Sequence, residues 1–202
     1  MVGIVLAIFQ QITGVNTIVY YAPTIFQMVG FADAGHAILA TFLIGFVGLL
    51  FTVISMFLAD KVGRRILLLI SLTGMGVVLL HLAWILGDPH PKKWLVVTDI
   101  LVYLAAFDLG LGPIFWLLIS EIYPTTVRAQ SMALAKMAIR AGDFMVTVTF
   151  LTVVEHLGMR GCFLLFAGLC AAAFVFSLRL VPETRGRTLE EIESSWNPAA
   201  GK

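Results

Sequence analysis

The sequence predicts an all-α integral membrane protein in which six transmembrane helices form one bundle. Of its 202 residues, 60% are hydrophobic and only 12% are charged, whereas soluble domains average about 45–50% and about 25%. The mean hydropathy is +0.99. Apolar stretches of about 20 residues, the length that crosses a bilayer as a helix, recur along the chain. This composition excludes a soluble enzyme.

Short polar connections separate the apolar stretches, and six stretches are long enough to cross a bilayer. Together they form one transmembrane domain over residues 1–182, and residues 183–202 form a tail. In the tail, the stretch RTLEEIESSW places Leu189, Ile192 and Trp196 at helical spacing, which predicts a short amphipathic helix. The predicted spans are Val2–Val29, Ala37–Leu58, Ile66–Leu86, Leu95–Ile119, Ala129–Val154 and Cys162–Leu180.

Basic residues are distributed unequally between the two ends of the predicted bundle. Cytoplasmic loops of membrane proteins carry an excess of lysine and arginine, so we expect the more basic end, the tail and both termini to be cytoplasmic. The net charge is +1, and without a basic stripe we expect no nucleic-acid partner. The more basic end carries Lys61, Arg64, Arg65, Arg128, Arg179, Arg185, Arg187 and Lys202, and the other end carries Lys92, Lys93 and Arg160.

The first span contains an unusually polar stretch, QQITGVNTIVYY. The amides of Gln10, Gln11 and Asn16 each donate and accept hydrogen bonds, and an unpaired amide in lipid costs several kcal/mol. Gly14 and the β-branched residues after it favour local unwinding, and Pro23 removes a backbone donor. Two interpretations remain open, since the amides could hold helices together or could bind a hydroxyl-rich ligand such as a sugar.

The fourth span is interrupted at its centre by the stretch LGLGP, in which Gly110, Gly112 and Pro113 disfavour a continuous helix. A pair of broken spans indicates a binding site in transporters. Trp116 follows Gly112 by one helical turn, and its indole could stack on a sugar ring or simply pack between helices.

Four charged residues are expected at the more basic end of the bundle: Arg64, Glu121, Arg128 and Glu183. They could form a network that holds helix ends together in one conformation. They could equally be solvated loop charges, which contribute little to stability. Glu121 favours the network, because it lies at the end of an apolar helix.

Four motifs occur in a characteristic order: QQITGVNTIVYYAPTIF, DKVGRR, GPIFWLLISEIYPTTVR and VPETRGRTLEEIE. Together they resemble the marks of the sugar porter family, which belongs to the major facilitator superfamily. That family includes proton symporters of xylose, arabinose and galactose, and glucose facilitators. Its members have twelve helices, and the resemblance implies that this chain is the C-terminal half, helices seven to twelve.

The resemblance also implies roles for individual residues. Tyr20 and Tyr21 would form part of an outer gate. The network of Arg64, Glu121, Arg128 and Glu183 would hold an outward-facing state at the cytoplasmic end. The implied sugar contacts are Gln10, Gln11, Asn16, Gly112 and Trp116.

Several positions depart from the family pattern. Gly48 stands where the family often has an asparagine, and Ile139 and Arg140 stand where it has an amide followed by tryptophan. Asp108 replaces a small apolar residue of the xylose symporter type. Two amides are therefore lost, and ionisable groups are gained.

The gained charges include a cluster on the fifth span, where Lys136, Arg140 and Asp143 share one helix face. Charged residues inside a membrane are costly and are usually functional. Asp108 could pair with Arg140 across the helix interface. The cluster could be a structural ion pair, or it could adapt the site to a sugar acid, a polyol or a proton-linked carboxylate.

No residue pattern predicts an enzyme, a metal site or a cofactor. Cys162 and Cys170 lie in an apolar run and are expected to be small buried hydrophobic residues. His81 is the single histidine inside a span, and a lone histidine there usually packs against neighbours through a hydrogen bond. We expect no cofactor.

The sequence therefore predicts transport of a monosaccharide or polyol by alternating access, as half of a sugar porter. The alternative is a sugar sensor that does not transport, or an inactive relic. The expected partners are a sugar, the bilayer, and either an N-terminal six-helix half or a second copy of the chain. The start MVGIVLAIFQQ lies inside helix seven of the family pattern. We therefore expect, in this order, a fragment of a longer transporter, a chain that pairs with a separately encoded N-terminal half, or a chain that dimerises.

Overall fold

The computed structural model describes residues 2–28, 34–88, 92–123 and 127–186, and these ranges are helical apart from short turns, without a strand. The predicted all-α class is therefore confirmed. The helices are α1 (Val2–Ile12), α2 (Val15–Met28), α3 (Ala34–Val62), α4 (Arg64–Ile85), α5 (Lys93–Leu109), α6 (Leu111–Ile122) and α7 (Arg128–Leu180).

These helices supply the six predicted spans. Five helical segments of the described ranges are long and apolar enough to cross a membrane. Two of them are broken helices, since α1 with α2 forms the first span and α5 with α6 forms the fourth. The last of the five, α7, is divided at Gly158 into two arms, which are the fifth and sixth spans.

The connection between the fifth and sixth spans is shorter than the sequence indicates. Helical structure continues through most of the predicted loop, and only Gly158 leaves it, with φ 68° and ψ 168°. A residue without a Cβ adopts this conformation without strain. The chain therefore reverses direction at a single residue.

Helix α4 packs with one face against α5 and α7, and its opposite face is exposed. Its buried face carries Leu72, Met75 and Leu79, which belong to one apolar core with residues of both neighbours. Cys162 and Cys170 of α7 are buried in the same core and form no disulfide. The prediction that they act as small buried hydrophobic residues is confirmed.

Helix α3 has the opposite character, since most of its described surface is exposed. Phe42, Leu49, Met56 and Phe57 all project from the bundle as large apolar side chains. Such a surface is unfavourable in water and is stable against lipid or against another apolar helix. It agrees with the predicted integral membrane protein.

The first span is interrupted at Thr13 and Gly14, and α2 continues through Pro23 to Met28. Gly14 has a positive φ of 96°, and an added Cβ would lie only 2.7 Å from Phe166 Cδ2. Both the backbone conformation and the close aromatic ring therefore require glycine. The local unwinding predicted at Gly14 is present, and the helix is not interrupted at Pro23.

The predicted amphipathic helix of the tail, RTLEEIESSW, lies outside the described residues. The described chain leaves α7 at Val181 and runs in extended and turn conformation to Gly186.

Replacing Gly14 with alanine is expected to destabilise the bundle by about 1–3 kcal/mol, because it combines backbone strain with a clash against Phe166. Thermal unfolding of the detergent-solubilised protein measures the effect. Gly168→Ala is the matched control, since a Cβ there meets nothing within 4 Å and alanine favours helix. Equal melting temperatures for the two variants would contradict the role of Gly14.

Candidate functional site

The break in the fourth span lies directly against α4. Gly110 has φ −141° and ψ −77°, and an added Cβ would lie 2.5 Å from both Leu67 O and Ser71 Cβ. The absence of a side chain therefore lets α4 approach the broken turn. Ser71 Oγ accepts a hydrogen bond of 3.0 Å from the backbone N–H of Leu111, the first residue after the break.

Gln10 joins the two broken spans. Its Nε2 group donates to the carbonyl of Leu111 at 3.2 Å and to the carbonyl of Gly112 at 3.4 Å. Gln10 is only 5% exposed; the bond to Leu111 is buried and the bond to Gly112 is partly buried. Each of these bonds contributes about 0.5–1.5 kcal/mol, and together they hold α1 against the start of α6.

Tyr103 of α5 satisfies the break in the first span, a role that the sequence analysis missed. Its hydroxyl donates to the carbonyl of Thr13 at 2.9 Å, and the ring is fully buried. A buried tyrosine usually needs a partner for its hydroxyl, so a tyrosine in the centre of a span was a usable signal. The sequence did not indicate the partner of this hydroxyl, because Thr13 lies 90 residues away along the chain.

Gln11 and Asn16 form a second polar group with the charged cluster of the fifth span. Asn16 Nδ2 donates to Gln11 Oε1 and to Asp143 Oδ1, both at 2.7 Å. Asp143 Oδ2 also lies 3.6 Å from Arg140 Nη1. The structure therefore brings Gln11, Asn16 and Asp143 together, with Arg140 at the exposed edge of the group.

The expected pairing of Asp108 with Arg140 was wrong. Arg140 pairs with Asp143, three residues away on the same face of the same helix, which requires no approach between helices. Lys136 of the same predicted cluster is exposed.

Asp108 instead lies against Gly48 of α3. An added Cβ at Gly48 would lie 3.0 Å from Asp108 Oδ2, and one at Gly112 would lie 3.4 Å from Asp108 Oδ1. Two departures from the family pattern therefore meet at one place. The missing side chain at position 48 leaves the room that the carboxylate of Asp108 occupies.

The predicted site also contains three aromatic residues, Trp116, Tyr20 and Tyr21. Trp116 is partly exposed, and its ring meets Phe115 edge-on with 5.1 Å between the centroids. Tyr20 is exposed, whereas Tyr21 packs on Phe150 with 4.7 Å between the centroids. Trp116 is therefore accessible in part, although it packs against Phe115.

Three of the four predicted network residues meet at one end of the bundle. Arg64 Nη2 lies 3.0 Å from Glu121 Oε1, and Arg64 Nη1 donates to the carbonyl of Ala59 at 3.1 Å. The hydroxyl of Thr184 donates to Glu121 Oε2 at 2.6 Å. The exposed Asp60 gives Arg64 a further ion pair at 3.0 Å.

Glu183 joins this network through backbone donors. Its Oε1 accepts from the N–H of Arg64 at 3.0 Å and from the N–H groups of Thr184 and Arg185 at 3.1 Å each. Arg64 is the first residue of α4, so Glu183 caps that helix. The close approach requires Gly63, whose φ is 105° and whose added Cβ would lie 2.7 Å from Glu183 Oε2.

Arg128 does not join the network in the part of the chain that the structure describes. Its Nε donates to the carbonyl of Tyr123 at 3.2 Å, and its Nη2 is buried without a described partner. The nearby Arg65 donates to the carbonyl of Leu178.

His81 packs against its neighbours through a hydrogen bond, as the sequence analysis expected. Its Nδ1 lies 2.9 Å and 3.1 Å from the two carboxylate oxygens of Asp99 on the next span. Its ring also stacks on Trp84 with 5.9 Å between the centroids. His81 and Asp99 lie at similar distances along the chain from the turn between α4 and α5. In two adjacent antiparallel helices such residues lie at the same level, so the sequence could have indicated this pair.

Comparison with known proteins identifies the family. The sequence model described as "Sugar (and other) transporter" matches residues 1–196. The chain is a member of the sugar transporter family. This family member is 42% identical to "Putative polyol transporter 2" of Arabidopsis thaliana, over 92% of the chain and 38% of that relative. It is 34% identical to the D-xylose-proton symporter of Escherichia coli K12, over the whole chain and 42% of that relative.

A solved structure gives the same assignment for this sugar transporter family member. The structure of the proton:xylose symporter XylE bound to 6-bromo-6-deoxy-D-glucose matches with a TM-score of 0.87 and 33% identity. The match covers 96% of this chain and 42% of XylE. The fold is that of the major facilitator superfamily, and the predicted resemblance is confirmed. The chain spans about two fifths of the length of these relatives.

Gln10→Met is expected to destabilise the protein by about 1–3 kcal/mol, because it removes two side-chain hydrogen bonds between the broken spans, each contributing about 0.5–1.5 kcal/mol. Thermal unfolding in detergent measures the loss. Ile8→Met, on the exposed side of the same helix, is the control and should change little. A Gln10→Met protein as stable as the control would contradict the proposed connection between the broken spans.

Glu183→Ala is expected to cost about 1–2 kcal/mol, the usual effect of removing a helix cap. Glu183→Gln keeps one acceptor oxygen and should lose less. Glu155→Ala, which removes the same charge from an exposed position of α7, serves as the reference. If the Glu183→Ala protein were as stable as the Glu155→Ala protein, the capping role of Glu183 would be disproved.

Proposed function

We propose that the chain is a six-helix half of an alternating-access carrier for a neutral monosaccharide or polyol, corresponding to helices seven to twelve of a sugar porter. The observation that carries the proposal is the contact between the two broken spans. Gln10 of the first span donates to the carbonyls of Leu111 and Gly112, directly after the break in the fourth. In carriers, paired broken helices of this kind form the substrate site near the middle of the bilayer.

The remaining hydrogen-bonding groups suit a polyhydroxyl ligand. The two N–H groups of Gln10 are directed to backbone carbonyls, and those of Asn16 are directed to Gln11 and Asp143. Their amide oxygens are left to accept hydrogen bonds, and the carboxylate of Asp108 adds a further acceptor nearby. Sugar and polyol hydroxyls are donors that match this set.

The substrate is proposed to be neutral rather than acidic. Arg140 is the charge that favoured a sugar acid in the sequence analysis, but Asp143 lies 3.6 Å from it and balances it. A substrate carboxylate would in addition approach Asp108 and Asp143, and like charges at short distance repel strongly in a low dielectric. The names of the relatives, which include polyol and xylose transporters, agree with a neutral substrate.

Transport would follow from bending at the two breaks. Gln10, Gln11, Asn16, Gly112 and Trp116 would contact the substrate, and the exposed Tyr20 with Tyr21 would close over it. A substrate shifts the balance of conformations only through its different affinity for each of them. No covalent chemistry is required, so the proposed activity is not enzymatic.

The network of Arg64, Glu121 and Glu183 would hold α4, α6 and the start of the tail together in one conformation and separate in the other. We place this end in the cytoplasm, together with both termini, because of its excess of basic residues. A second six-helix unit would supply the opposite wall of the site. An N-terminal half of the sugar porter type is the proposed partner, and a second copy of the chain is the alternative.

The binding proposal can be tested by titration calorimetry of the purified chain with xylitol, sorbitol, xylose and glucose. At least one neutral ligand should bind, and glucuronate should bind at least tenfold more weakly than its neutral counterpart glucose because of the carboxylates. Asn16→Ala should weaken the binding about tenfold, whereas Gln130→Ala, which removes an exposed amide elsewhere, should not.

Uptake into liposomes then separates a carrier from a sensor. The chain is reconstituted alone and together with the N-terminal six helices of the E. coli xylose symporter. Accumulation of the bound ligand in either preparation supports a carrier, and binding without uptake in both supports the sensor. Failure of every neutral ligand to bind, or equal binding by the Asn16→Ala protein, would disprove the proposed site.

A further inference from the structure

A cavity of about 520 Å³ opens at the end of the bundle opposite Arg64. It lies between the turn that joins α4 to α5 and the reversal of α7 at Gly158, and it is separate from the broken spans. Its walls combine charged and apolar groups. The lining residues are Trp84, Ile85, Gly87, Asp88, Lys92, Leu95 and Arg160.

The cavity lies at the level where the spans end, which is the level of the lipid headgroups. Helix α4 ends at Ile85 and α5 begins at Lys93. Trp84 is 71% exposed and Trp94 is 62% exposed. Exposed tryptophans are enriched at this depth, because the indole ring contacts acyl chains while its N–H contacts the headgroup region.

The charges that line the cavity favour an anion. Two cations, Lys92 and Arg160, lie beside one carboxylate, that of Asp88. The guanidinium of Arg160 rests against Gly87, since its Nη1 would lie 3.1 Å from a Cβ added there. Within the ranges that the structure describes, neither Lys92 nor Arg160 forms an ion pair. An arginine and a lysine in one cavity can share a phosphate, the first through its planar fork and the second as a point charge.

An apolar strip leads from the cavity towards the centre of the membrane. Val77, Leu80 and Trp84 follow one another at helical spacing on α4, and all three are more than half exposed. Ile85 and Leu95 continue the apolar surface into the cavity itself. A ligand that fills both parts therefore carries a negative headgroup and a long apolar chain.

We propose that this cavity binds an anionic phospholipid, with its phosphate between Lys92 and Arg160 and one acyl chain along the strip of Val77, Leu80 and Trp84. A zwitterionic lipid fits less well, because its ammonium group would add a third cation to a cavity with one carboxylate. Free phosphate would leave the apolar strip without a role. This site does not depend on the proposed transport function.

The test is lipid retention by the purified chain. The protein is equilibrated in detergent with equal amounts of phosphatidylglycerol and phosphatidylcholine, and the bound lipids are counted by native mass spectrometry. We expect one phosphatidylglycerol to be retained at least tenfold in preference to phosphatidylcholine. Arg160→Gln and Lys92→Gln should each reduce that preference severalfold, and the double variant should abolish it.

Lys93→Gln is the matched control, since it removes the same charge from the neighbouring residue, which does not line the cavity. It should keep the preference. Equal retention of the two lipids by the unmodified chain would overturn the proposal, as would an equal loss in the Lys93→Gln protein, which would indicate general attraction to basic loops. Circular dichroism confirms that each variant keeps its helices.

Two soluble competitors distinguish a lipid from a free phosphate. Inorganic phosphate and glycerol 3-phosphate are added at millimolar concentration to the lipid-loaded protein. Neither should displace phosphatidylglycerol, because neither contacts the apolar strip. Complete displacement by inorganic phosphate would show a site for soluble anions and would reject the lipid.

Discussion

The structure depends on one constraint, the need to pair every backbone N–H and C=O group inside a bilayer. An unbroken helix meets it automatically, but the first and fourth spans are both interrupted. Two side chains from other segments restore the balance, since Tyr103 serves the carbonyl of Thr13 and Ser71 serves the N–H of Leu111. Gln10 adds bonds to the carbonyls of Leu111 and Gly112, which tie the two breaks to each other. The positions of α1, α4, α5 and α6 relative to one another follow from these bonds, because each break requires its partner at hydrogen-bonding distance.

The same bonds determine what is left for a ligand. Gln10 and Asn16 direct their N–H groups into the protein, so their side chains are held in fixed orientations with the amide oxygens available. A site whose polar groups are already oriented loses less conformational entropy when a ligand binds. The carboxylates of Asp108 and Asp143 increase the number of acceptors further. In the proposed site, stability and selectivity would therefore arise from the same set of contacts.

The sequence was sufficient for features that are local to a segment. The glycines and the proline at Gly110, Gly112 and Pro113 indicate a break in an apolar helix from their residue type alone. The amides of the first span likewise predict a polar surface. Contacts between segments were harder, because they depend on the rotation of each helix about its axis. Asp108 was assigned to Arg140 on complementary charge, yet the helices turn it towards Gly48. His81 and Asp99 were not paired for the same reason. The sequence predicted a loop between the fifth and sixth spans, because the residues around Gly158 are compatible with either helix or loop.

Glu183 has a consequence for the biosynthesis of the protein. It caps the first residue of α4 from a position 119 residues later in the chain. Translation proceeds from the N-terminus, so α4 enters the membrane while Glu183 has not yet been made. The first turn of that helix consequently lacks its cap until the sixth span has been inserted and the chain beyond it has folded back. Completion of α4 is thus one of the last events of assembly, and it takes place only after the sixth span has been made.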